Sequence, residues 1–152
     1  MSQPRKTPVV SLSNTITSSI TTSALTVTGQ VAQQQIIETL NTKSNATGTV
    51  THDFSTGSIW YHTSITSNFT TALTNVPTTQ NRSAVVSLIL IQGATPYYSS
   101  TITINGSAAT INWPNAALPT PTANRKEIES LTLLNVGGTW TVFGQYLSLG
   151  IP

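Results

Sequence analysis

The chain has 152 residues, enough for one ordinary domain with a modest extension. Thr and Ser supply 47 of them and Asn and Gln another 19, whereas only ten carry a formal charge, so hydroxyls and amides must cover the surface. An enzyme of the cytoplasm normally has roughly a quarter of its residues charged.

The net charge of +2 reflects scarce acids, and the six cations, Arg5, Lys6, Lys43, Arg82, Arg125 and Lys126, form no stripe that could follow a phosphate backbone. A nucleic-acid partner is therefore not expected. With no cysteine, disulfides and thiolate metal sites are excluded. No apolar run reaches the length of a membrane span, so membrane insertion is not expected either. Met1 to Val10 lacks the apolar core of a signal peptide, and the expectation is a protein made in a cytoplasm that, if it acts outside a cell, leaves by lysis or as part of a particle.

Residues 1–47 contain no aromatic residue and read as an extended N-terminal arm. Within them Ser11 to Thr28 alternates weakly, with Leu12, Ile16 and Ile20 on one side, and can pair as a strand but cannot bury enough apolar surface to fold alone. Gln30 to Leu40 reads as a short helix with Val31, Gln34 and Ile37 on one side, or as another strand. From Gly48 to the end, residues 48–152, the pattern is β. Thr49 to Phe54 is a short strand closed by the Ser55-Thr56-Gly57 turn, and Ser58 to Ile65 and Asn68 to Leu73 follow. Ser83 to Gln92 is the most apolar run and reads as the central strand of the core. Tyr98 to Ile104 and Ala108 to Trp113 flank Asn105-Gly106, a strong hairpin signal because both residues tolerate positive φ. After a Pro/Ala-rich loop, Glu127 to Leu134 and Thr139 to Leu149 surround the Gly137-Gly138 turn. Strands at this spacing predict an all-β fold, an antiparallel β-sandwich of jelly-roll type behind the arm.

Few residues could carry chemistry. Glu127 and Glu129, at i, i+2 on one strand face, could imitate the carboxylate pair of a glycosidase. Beside Arg125 and Lys126 they read more simply as a solvated face. His52 and Asp53 are adjacent and point to opposite sides of a strand, which makes them a poor catalytic couple. His52 and His62 could face each other across neighbouring strands and are weak candidates for a metal, although the expectation is no metal and no cofactor. Of the aromatic residues, Trp140 reads as buried and Tyr97-Tyr98, after Pro96 in a turn, as the best exposed candidates for stacking on a sugar. Without a phosphate loop, nucleophile elbow or metalloprotease motif, no enzyme is expected.

The segments GTVTHDFSTGSIWYHTSITSNFTTALTNVP (Gly48 to Pro77), AVVSLILIQG (Ala84 to Gly93), TINW (Thr110 to Trp113) and ESLTLLNVGGTWTVFGQYLSLG (Glu129 to Gly150) resemble a domain that recurs in tail-fibre-like structural proteins of tailed phages, notably marine and cyanobacterial ones. ALTVTG (Ala24 to Gly29) is similar to the short repeats of fibre stalks. The resemblance covers about two-thirds of the chain and carries over no catalytic residue. It implies a β-sandwich, usually trimeric, displayed on a virion, and hence partners among its own copies and the tail, baseplate or capsid proteins. A head decoration or cement protein and a module that binds host glycans are the alternatives.

Overall fold

The computed structural model describes residues 34–149. The arm up to residue 33, with the alternating tract of Ser11 to Thr28 and the start of the expected helix, lies outside them. Residues 34–39 are not helical, and Leu40, the end of the expected helix, opens a strand. Ten strands follow: β1 (Leu40–Ser44), β2 (Gly48–Asp53), β3 (Ile59–Thr63), β4 (Phe69–Thr74), β5 (Arg82–Ile91), β6 (Ser99–Ile104), β7 (Ser107–Ala109), β8 (Ile111–Asn112), β9 (Lys126–Val136) and β10 (Thr139–Ser148). β1 falls inside the stretch read as arm, yet it pairs with β3 along its whole length.

The all-β expectation holds, with two facing sheets ordered β1-β3-β5-β9-β10-β8 and β2-β4-β6-β7. The expected antiparallel jelly-roll connectivity does not. From β1 to β6 the chain crosses to the other sheet after every strand, so that each strand lies parallel to the one two before it. The result is three turns of a flattened coil, two strands per turn. Only then does the chain fold back within a sheet. The hairpin at Asn105-Gly106 reverses it between β6 and β7, and β9 pairs antiparallel with both β5 and β10. Both central residues of that hairpin have positive φ, 48° and 85°, as a two-residue turn that follows the strand twist requires.

The inner faces of the two sheets meet in one core. Trp60, Val86, Leu88, Leu90, Leu131, Leu133 and Val142 come from the larger sheet and Phe69, Leu73, Ile102 and Ile104 from the smaller. β5 sits third in the six-stranded sheet between β3 and β9, which is the central position read for Ser83 to Gln92. Trp140 is half-buried and packs on the edge of the core. Gly144 lets β10 pass close under Trp113, since a Cβ there would lie 2.4 Å from the indole Cζ3 and 2.6 Å from Ile111 Cγ2.

Candidate interaction surface

Four titratable residues, His52, His62, Glu127 and Glu129, sit inside the sandwich. His52 on β2 and His62 on β3 belong to opposite sheets, and their Nε2 atoms are 3.0 Å apart across the core, both residues fully buried. One Nε2 must donate and the other accept, so the pair shares one proton along this line. His52 meets the edge of Trp60, with ring centres 5.0 Å apart, and His62 stacks on Phe69 at 5.2 Å. Burial holds the pKa of His52 down to about 3, aided by His62 and Lys43 and opposed by the Val50 backbone. His62 is held down to about 4 by burial and then by Lys43. The expected ladder contact between neighbouring strands is thus a bridge between sheets. No carboxylate joins it, and among the described residues no three metal-ligating side chains gather.

The reading of Glu127 and Glu129 as a solvated face is corrected: both are fully buried. The inward side of β9 runs Glu127, Glu129, Leu131, Leu133, Asn135 in unbroken alternation. Glu127 accepts from the Tyr146 hydroxyl at 2.5 Å, from Gln92 Nε2 at 2.9 Å and from the Thr122 amide at 2.8 Å. Gln92 also binds both backbone groups of Tyr97, accepting from its N–H and donating to its carbonyl. Glu129 Oε2 accepts from the Ser99 amide at 2.9 Å while Oε1 has no partner. Burial accordingly pushes its pKa up to about 8, against the pull of Ser99, so that it stays a neutral acid at pH 7. Ser99 and Thr71 share a hydroxyl bond beside it. Burial and the Glu127 carboxylate likewise raise the Tyr146 phenol. Both carboxyl groups are buried; the Glu127 bonds tie β5, β9 and β10 together, and the Glu129 bond reaches Ser99 on β6 of the smaller sheet. Asp53 caps the turn after β2, accepting from Ser55 and Asn75, and those bonds hold its carboxyl below the ordinary range.

Tyr98, read as exposed, is buried, with its ring edge-on to Trp113 and Tyr146 at 6.2 Å. Tyr97 is half-buried. The aromatic residues do not share one face: Tyr61 lies on the outside of the larger sheet, Trp60 in the core, and Trp140 beside Phe54 in a hollow of about 370 Å³.

What the structure presents outward is the far face of the larger sheet. Inward residues alternate along β5, β9 and β10 with Val85, Ser87, Ile89 and Ile91, with Ile128, Ser130, Thr132 and Leu134, and with Thr141, Phe143, Gln145 and Leu147. β3 adds Ile59 and Tyr61, and β1 adds Leu40. Val85, Phe143, Leu147 and Leu40 are each about half exposed, at 51%, 47%, 56% and 54%. Among the described residues of this face the one charge is Lys126, at the first position of β9. A continuous apolar and hydroxyl-bearing face of this kind is uncommon on a monomer's surface and is the candidate interaction surface. Sequence alternation hinted at it, but the arched connections that put these strands side by side were not legible.

The chain matches no known family model, no curated protein and no solved structure.

Proposed function

We propose that this chain is a structural protein of a virus particle, of the tail-fibre or tail-associated kind, that acts by assembling with its own copies and with neighbouring particle proteins. The observation that supports it most is the outer face of the larger sheet, broad, apolar and almost uncharged. Identical copies can approach through such a face without bringing like charges together. The buried groups suit the same reading, because the imidazoles and Glu129 are spent on joining the two sheets and Glu127 on tying strands of the larger one. Placement on a virion, and the trimer it implies, rests on the resemblance of Gly48 to Gly150 to phage tail-fibre proteins.

Quantitative mass spectrometry of purified particles tests the placement. A stoichiometry typical of a tail part supports it, a stoichiometry equal to that of the shell subunits points to a decoration protein, and absence from particles overturns it.

A further inference from the structure

The neutral face has a relief as well as a composition. Three rows cross β5, β9 and β10 in register. Val85, Thr132 and Phe143 form one, Ser87, Ser130 and Gln145 the next, and Ile89, Ile128 and Leu147 the third. The outer rows carry bulky side chains, and the middle row is floored by two serines. A hollow of about 410 Å³ opens between this row and the next on the β9–β10 side, lined by Pro114, Ile128, Ser130, Gln145, Tyr146 and Leu147. Adjacent rows are two residues apart along each strand, about 6.6 Å.

We propose that this face is self-complementary, and that a second copy of the chain packs on it face to face about a twofold axis, the bulky row of each copy seated in the serine trough of the other. The inference rests on the assembly reading, names the partner and its geometry, and requires an even number of copies, so that the trimer implied by the resemblance must itself pair into six. Three observations favour a second copy over any other occupant. A twofold axis brings each patch against itself, and a face whose one charge among the described residues is Lys126, at its margin, meets little repulsion there. The trough and the ridges beside it lie one row apart, so a single offset fills both troughs at once. The size also fits. Strands of 10, 11 and 10 residues flanked by β1 and β3 span a face of roughly 650 Å² at about 4.8 Å per strand. A standard interface takes about 800 Å² from each partner, and a lattice contact less than about 400 Å². With the Val85–Thr132–Phe143 row seated in the trough, the Thr132 hydroxyl of one copy can bond the Ser130 hydroxyl of the other, so these polar groups need not be buried unpaired.

The test uses the full chain in four forms: unchanged, Phe143→Lys, Thr101→Lys on the outside of the smaller sheet, and Ser130→Cys. Native mass is read for the first three. The fourth is treated with a short bis-maleimide, which has no other thiol to find. The expected result is an even-numbered oligomer for the unchanged chain and for Thr101→Lys. Phe143→Lys should weaken association about thirtyfold or more, and Ser130→Cys should cross-link into a covalent pair. An unchanged chain that assembles while Phe143→Lys keeps its mass and Ser130→Cys fails to cross-link overturns the twofold face and leaves assembly to another surface. A lone monomer overturns both readings. Should Phe143→Lys unfold, the cross-linking of Ser130→Cys alone decides.

Discussion

At the scale of single residues, the interior is built for neutral forms of groups that usually carry charge. Two buried imidazoles share one hydrogen bond, and Glu129 keeps its proton because it is buried and the single bond from Ser99 does not offset that. The pH dependence of stability follows with opposite signs. For His52 and His62 the folded pKa values of about 3 and 4 lie below the ordinary 6.5, so the unfolded chain binds more protons, and stability is lost as pH falls below 6.5 toward those values. For Glu129 the folded value of about 8 lies above the ordinary 4.5, so its contribution is present below 4.5 and is lost as pH rises toward 8. Urea denaturation from pH 4 to pH 9 should show stability falling at both ends, with Glu129→Gln removing much of the alkaline loss; an unchanged alkaline limb in that variant would contradict the neutral acid. A second residue-scale prediction concerns Gly144. Its Cβ would overlap Trp113 and Ile111, so Gly144→Ala should cost about 1–3 kcal/mol in the same assay.

At the scale of elements, the sequence shows where strands lie better than how they connect. The apolar run Ser83 to Gln92 and the Asn105-Gly106 hairpin were legible because composition and turn chemistry act locally. The parallel winding of β1 to β6 was not. A strand in a two-sheet coil has one face inward and one outward, so it alternates like a strand of an antiparallel sandwich, and the arches between sheets use the same Ser, Asn, Thr and Gly as hairpin turns. The positive φ at Asn45, Ser64 and Asn75 belongs to these arches. The burial of Glu127 and Glu129 was legible in part. Their phase continues that of Leu131 and Leu133, but the acidic side chains suggested the opposite face. Gln92 and Ser99, which complete the network, gave no sequence signal, because they reach the carboxyl groups only through long-range pairing.

Asn105 shows how an arch is tied to a hairpin. Its side chain accepts from the Val76 amide at 3.0 Å and donates to the Val76 carbonyl at 2.9 Å, while its own amide donates to Leu73. Asn105→Ala removes two bonds and places alanine at positive φ. It should lower stability by about 2–3 kcal/mol in urea denaturation, and a loss under about 0.5 kcal/mol would show that the turn holds without them.

At the scale of the whole molecule, the interior and the outer face support one account. The core uses its polar groups to lock two sheets into a fixed scaffold, and the scaffold displays a face that water covers poorly. Ile128, Leu134, Phe143 and Leu147 follow from the alternation of β9 and β10, but the continuity of the face depends on β5 and β3, whose pairings span 28 to 53 residues of chain. The measurement that tests the account most directly is the native mass of the full chain by sedimentation equilibrium at micromolar concentration. The account predicts a multiple of the 16.1 kDa chain mass that persists on dilution through that range. A single species of 16.1 kDa throughout would contradict it.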